Sequence, residues 1–293
     1  MLKQESQGLF VGLTTLDLIY LVQDLPAPNQ KIVALADAIA AGGPATNAAI
    51  AFHHLGNNAT VLSGIGTHPL SQLVLADLAE WQVESIDLTP TRSAPIPASS
   101  ILVTEGTGDR AVISRNAVQF QAEATAIPKD MMQRIEQREI DMVLIDGHQR
   151  QVGKAIAQQA KAQQIPVILD GGSWKNGLET LLPFVDYAIC SANFYPPGCT
   201  QTSQVLDYLR AFQIPHIAIT RGGQPIQYLS QGICGTVAVN AIQPVDTLGA
   251  GDVFHGAFCH YCLRLDFGAA LAEAGAIATQ ACQSFGTRQW MQA

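Results

Sequence analysis

The stretch Asp246-Thr247-Leu248-Gly249-Ala250-Gly251-Asp252, running on into Val253-Phe254-His255-Gly256-Ala257-Phe258, decides how this chain is read. A strand-like segment over 236–245 leads into a Gly-Ala-Gly turn, and a long apolar helix follows. That order leaves several backbone N–H groups without partners at a helix N-terminus, where they can hold an anion. Gly249 and Gly251 let the backbone approach a phosphate closely and take positive φ if needed. Asp252 falls in the first helical turn. A carboxylate there commonly caps the helix and complements its dipole. Beside so much stripped backbone, it equally suits a general base that accepts a proton from an attacking hydroxyl.

Working outward from this motif, short apolar runs alternate with helical patterns. Strands are expected at 9–13, 59–64, 142–146, 167–170, 187–191 and 217–220, each rich in Val, Ile or Leu and bounded by Gly, Asp, Ser or Pro. Helices are expected at 44–55, 69–81, 129–137, 152–163, 203–212, 251–265 and 267–284, several opening just after Pro, Ser or Asp. Strands apolar throughout are buried on both faces, and the repeated β-then-α order predicts an α/β fold with a mainly parallel central sheet and helices on both faces. Two stretches break the rhythm. One is 31–41, after Pro26 and Pro28. The other is 98–114, where Glu105-Gly106-Thr107-Gly108-Asp109 suits a hairpin turn. They are expected to form a small separate sheet, either a lid over the strand ends or an edge decoration. A further β-rich piece is expected at 225–239.

Bulk composition narrows the function. The chain has 293 residues, 48% of them hydrophobic and 14% charged, enough to bury a large core as a single domain spanning 1–293. A net charge of −8 speaks against a nucleic-acid partner, which calls for a basic stripe. It does not speak against a nucleotide, whose phosphates are held by local N–H groups and a metal ion. No apolar run approaches the roughly 20 residues of a membrane span, and the polar stretch 1–8, with Lys3 and Glu5, lacks a secretory pattern. The expectation is a cytoplasmic protein with no membrane partner. Of the six cysteines, Cys259 and Cys262 have C-x-x-C spacing but sit in an apolar helical stretch, which favours core packing over metal or redox chemistry.

The heptapeptide at 246–252 resembles the D-T-x-G-A-G-D signature of the ribokinase, or PfkB, family of carbohydrate kinases. The di-glycine region of that family is matched by Ala41-Gly42-Gly43-Pro44-Ala45-Thr46-Asn47, and the resemblance extends over nearly the whole chain. It implies a ribokinase-like three-layer fold with a small β-sheet lid, contributed by about 14–41 and 95–117. It implies Asp252 as catalytic base and Gly249, Ala250 and Gly251 as anion hole. Asp17, Gly42, Gly43 and Asn47 would bind substrate hydroxyls, which suits groups that accept and donate several hydrogen bonds. Asn193, Thr220, Gly222 and Ala278 would line the nucleotide, with 278–286 near the adenine. ATP and Mg²⁺ are implied as cosubstrate and cofactor, a monovalent cation beside Asp246 is allowed, and the lid offers a homodimer surface. No metal ligand is assigned. The stretches 12–17 and 251–258 resemble ketohexokinase and bacterial sulfofructose kinase, which implies a ketose such as fructose or a relative as acceptor.

One position departs from the family. Many members carry N-x-x-E after a central strand; here Asn193 is kept and Pro196 stands in place of the Glu. Two other readings stay open, a nucleoside kinase of the same fold and a non-catalytic ligand-binding protein. The Walker lysine loop and the protein-kinase motifs are absent. His53 and His54 read as structural. His148 and Lys175 follow strands 142–146 and 167–170, where ligands bind in open sheets.

Overall fold

The apolar strand runs divide between two cores. Phe10, Met142, Leu144 and Ile168 pack into one, and Leu9, Val11, Val143, Ile145, Val167 and Leu169 into the other. Successive side chains of a strand leave on opposite faces, so a run apolar throughout requires cover on both sides of the sheet. Each fully buried side chain of this kind contributes about 1.5–3 kcal/mol. In the computed structural model, which describes residues 5–115, 117 and 121–292, helices supply that cover. The positions 1–4, 116, 118–120 and 293 of the N-terminal, lid and domain ranges named above lie outside the described residues.

Helices α1 (Pro44–His54), α2 (Pro69–Glu80), α6 (Ala250–Cys262) and α7 (Phe267–Ala281) cover one face. Helices α3 (Lys129–Glu136), α4 (Arg150–Ala162) and α5 (Thr202–Ala211) cover the other. The central sheet has nine strands: β1 (Gln7–Val11), β4 (Asn58–Ser63), β5 (Glu84–Asp87), β8 (Met142–Ile145), β9 (Val167–Gly171), β10 (Tyr187–Ser191), β11 (His216–Arg221), β12 (Gln224–Ser230) and β13 (Ile233–Val237). Their order is β13-β12-β11-β10-β9-β8-β1-β4-β5, parallel except for the β11-β12-β13 edge. This is the expected three-layer α/β architecture. The chain leaves β1 toward β4 and β5, then crosses back to β8, so the order reverses between β1 and β8. Clefts open beyond the strand ends at such reversals.

The second sheet has four strands in the order β3-β2-β6-β7: β2 (Thr15–Val22), β3 (Ala36–Gly42), β6 (Ala98–Thr104) and β7 (Arg110–Ser114). The 105–109 turn closes the expected hairpin, with Thr104 N–H donating to Asp109 O at 2.9 Å. On one face of this sheet Ile19, Ile101 and Val103 pack with Leu248 and Phe285 of the main body. Strand β2 falls within the 14–41 range that the resemblance assigns to the lid, but its residue pattern gave no strand signal of its own, because Asp17 interrupts its apolar run.

One expectation fails. The segment 236–245 is strand only as far as Val237; beyond it the chain runs without strand pairing to Asp246. Val239, Asn240, Ala241 and Ile242 line a cavity instead of joining a ladder. Cys259 is fully buried in the core, and Cys262 donates its thiol to the Cys259 carbonyl at 3.4 Å.

Candidate active site

The turn before α6 is built as the sequence suggests. Gly249 is the N-cap residue with φ +71°, a left-handed conformation that favours glycine, and no side chain caps the helix. The N–H groups of Gly251 and Asp252 lie in the first turn and have no intrahelical acceptor. A Cβ built on Gly251 would meet nothing within 4 Å, so the backbone there faces open space. That space is a cavity of about 600 Å³, lined at one end by Ala250, Gly251 and His255. Asn193, Thr220 and Gly222 line it from the ends of β10 and β11, and Ala278 from α7. The residues expected at the nucleotide thus share one cavity with two of the three expected in the anion hole; Gly249 sits behind, 3.0 Å by its Cβ position from the Thr287 methyl.

Asp252 does not cap its helix. Its Oδ2 accepts a hydrogen bond from Asn47 Nδ2 at 2.8 Å. The approach of α1 and α6 makes this contact: a Cβ on Gly256 would lie 2.2 Å from the Ala48 carbonyl oxygen, so the two helices touch backbone to side and only glycine fits. Gly256 and Asp252 are one turn apart on α6, and Asn47 adjoins Ala48 on α1. Part of the Asp252 surface stays accessible, yet protein crowds most of it. That burial, followed by the nearby Asp170 carboxylate, pushes its pKa up to about 7; Asn47 and His255 act against the shift and Asp17 adds to it. A carboxyl poised there can hold or release a proton at neutral pH.

Asp17 comes from β2, 6% exposed, with Thr15 Oγ1 donating to Oδ1 at 2.8 Å. Burial pushes its pKa up, against the pull of Thr15, Ser99 and Arg288. Gly42 ends β3 beside it, where a Cβ would stand 1.9 Å from Asp17 Oδ2. Gly43 has φ +97° and no room for a Cβ, which would lie 2.2 Å from Leu13 O. The di-glycine turn therefore lets β3 close against Asp17 and lets α1 start at Pro44. It carries Asn47 to Asp252, so the two groups of site residues meet through one hydrogen bond.

Two residues at this centre had no motif to announce them. Asp146, fully buried at the end of β8, accepts from Leu13 N–H at 2.8 Å, Ala45 N–H at 3.3 Å and His148 N–H at 2.8 Å. Burial raises its pKa, but the His148 ring 3.2 Å away, then the Lys175 ammonium and the Leu13 N–H, hold it down at about 2. Gly12 is required opposite, since its Cβ would lie 2.1 Å from the Asp146 Cγ. Arg288, beyond α7, donates to Asn47 Oδ1 at 3.0 Å. His148 is turned to Asp146, and Lys175 donates to the Ser173 carbonyl at 3.3 Å. His54 packs edge-on against Trp290. Asp246 accepts from Leu248 N–H and Gly286 N–H, both at 2.8 Å, and so binds the motif to the C-terminal segment. Pro196 is buried in the turn after β10, where Cys199 N–H bonds to its carbonyl at 3.0 Å. It brings no carboxylate to the cavity.

The model of the pfkB family carbohydrate kinases matches residues 7–292 of this chain. Among curated proteins, the chain is similar to a ribokinase of Bacillus subtilis (strain 168), with 23% identity over 96% of this chain and 94% of that one. It is also similar to a deoxyribokinase of Salmonella typhi, 22% identical over 95% and 93% of the two chains. Among solved structures, a ribokinase from Giardia lamblia superposes with a TM-score of 0.80 at 18% identity, covering 98% of each chain. The ribokinase of Arabidopsis thaliana complexed with ribose and ATP does so with 0.74 at 20% identity, covering 99% of each.

Proposed function

Since the chain belongs to the pfkB family of carbohydrate kinases, phosphotransferases that act on sugars or nucleosides, we propose that it transfers the γ-phosphate of ATP to a hydroxyl of a small sugar with Asp252 as the base. The observation that carries this reading is the pairing of Asp252 with Asn47 at an uncapped helix N-terminus that opens on the cavity.

In this reading the sugar lies between Asp17, the Gly42-Gly43 turn and Asn47, and ATP occupies the cavity lined by Asn193, Thr220, Gly222 and Ala278. Asp252 accepts the proton of the acceptor hydroxyl as its oxygen attacks the γ-phosphorus, and ADP leaves. The N–H groups around Gly249, Ala250 and Gly251 donate to the phosphoryl oxygens, where transition-state charge accumulates. Holding both substrates in line supplies much of the rate. Mg²⁺ arriving with ATP would neutralise phosphate charge. With Pro196 buried and Asn193 lining the cavity, the residues present suit an ion held chiefly by phosphates and water. A monovalent cation near Asp246 belongs to the same proposal. The small sheet acts as a lid that excludes water.

A ketose is the preferred acceptor, on the resemblance of 12–17 and 251–258. The curated relatives named above are a ribokinase and a deoxyribokinase, so pentoses stand beside it. The test is ADP release from Mg²⁺-ATP against ketoses, pentoses, other aldoses, sugar acids and nucleosides, with Asp252→Asn in parallel. Acceptor-dependent ADP release that Asp252→Asn abolishes supports the reading. A nucleoside as the one productive acceptor replaces the sugar, and unchanged turnover in Asp252→Asn removes the base.

A further inference from the structure

Arg288 follows α7 in a turn anchored on both sides. Before it, Gly286 N–H is held by Asp246 at 2.8 Å. After it, Trp290, 3% exposed, packs with Ala51, Val253 and Ala281. The guanidinium thus enters the site from a fixed base. Its Nη1 donates to Asn47 Oδ1 at 3.0 Å and to Thr287 Oγ1 at 2.9 Å. Its Nη2 donates to the Ala41 carbonyl at 2.5 Å and to Asp77 Oδ2 at 3.2 Å. The same Asp77 oxygen accepts from Ala41 N–H at 3.0 Å.

The chemistry of these groups removes any ambiguity in the Asn47 amide. A guanidinium only donates and an ionised carboxylate only accepts, so Oδ1 must face Arg288 and Nδ2 must face Asp252. We propose that Arg288 is a positioning residue for phosphoryl transfer: it orients Asn47 toward Asp252 and ties that orientation to Ala41, at the end of lid strand β3. The inference rests on the kinase reading above. A lysine cannot replace it, because an ammonium lacks the planar fork that donates in two fixed directions. The alternative role is purely structural, with the Arg288–Asp77 ion pair fastening the C-terminal segment.

The titration of Asp252 separates the two roles in Arg288→Lys, which keeps the positive charge that itself acts on Asp252 and removes only the planar fork. The groups facing it are Asp170 on β9, His255 on its own helix, Asp17 on β2, Asn47 on α1 and Arg288. Asn47's hydrogen bond favours the ionised form; an amide free to rotate withdraws that support, so the carboxyl titrates at higher pH.

The experiment compares wild type, Arg288→Lys and Arg288→Ala. Turnover is read with the productive acceptor, and the Asp252 carboxyl by ¹³C NMR of selectively labelled aspartate, assigned with Asp252→Asn. The expected result is kcat lower by about ten- to hundredfold in both variants, the range for one charge-assisted hydrogen bond. KM for ATP stays near wild type, the Asp252 titration moves to higher pH, and added guanidinium ion restores turnover in Arg288→Ala. Wild-type kcat, or an unmoved Asp252 titration, in Arg288→Lys overturns the proposal. If no acceptor supports ADP release by the wild type, the kinase reading fails, and the carboxyl titration alone then decides whether Arg288 positions this pair.

Discussion

Asn47 Nδ2 and Asp252 Oδ2 lie 2.8 Å apart across 205 positions of sequence. This bond joins the two halves of the site, since Asn47 belongs to the di-glycine turn and Asp252 to the glycine-rich turn before α6. Gly256 sets its length by letting α6 rest on Ala48.

Replacing Asp252 by Asn is expected to lower kcat/KM by about 10²–10⁴, the usual contribution of a general base. Stability should move the other way. The carboxyl titrates near 7 in the fold against 3.8 unfolded, so the folded form binds the extra proton between those values and stability falls as pH rises across that window. Asn carries no charge and avoids the loss. Thermal melts should therefore show the variant more stable than wild type at pH 8, with the difference vanishing near pH 4.

For the wild type, kcat/KM should climb with pH through an acidic limb centred near 7, because only ionised Asp252 accepts a proton. Initial rates at subsaturating acceptor over about pH 5–9, two units either side of that midpoint, check this. A flat profile contradicts the assignment.

Gly256→Ala places a methyl 2.2 Å from the Ala48 carbonyl and must push α1 from α6. The expected cost is about 1–3 kcal/mol of unfolding free energy, read as a lower denaturant midpoint, as for overpacked cores. Turnover should fall as well, since Asn47 moves with α1.

Gly251→Ala is the complementary case. Its Cβ meets nothing, so stability should hold within about 0.5 kcal/mol. The added methyl nevertheless stands where the backbone faces the cavity, and ATP affinity measured by calorimetry should drop. Normal ATP binding would remove Gly251 from the anion hole.

The outer face of the small sheet exposes Tyr20 at 37%, Ile39 at 58% and Ile113 at 74% of their surface. In register, Leu18 pairs with Ile39 and Ser100 with Ile113, so these residues share one apolar face. Pairing of two such faces in a homodimer is expected, and Ile39→Lys should turn the dimer into a monomer in sedimentation. A monomeric wild type rejects this surface as the dimer contact.

Local pattern carried much of the fold. The apolar runs at 142–145 and 187–191 and the helices opening at Pro44 and Pro69 lie where sequence places them, because periodicity and first-turn residues act over a few positions. Strand β2, inside the 14–41 lid range, was not marked by residue pattern because Asp17 interrupts its apolar run, and 236–245 misled because apolar residues that line a cavity look like those of a strand. Arg288 and Asp146 were illegible for another reason: a lone Arg after a helix or a lone Asp after a strand has no spacing to mark it.

The sequence by itself determined the α/β layering, the glycine-rich turn before α6 and the place of Asp252 in the first turn of that helix, all consequences of residues adjacent in the chain. Only the tertiary structure decided what Asp252 touches, why its carboxyl is held near 7 and how Arg288 reaches Asn47. These depend on Asp170, Asp17 and Asn47 arriving from three separate elements, and desolvation and charge act through distances in space that no local pattern encodes.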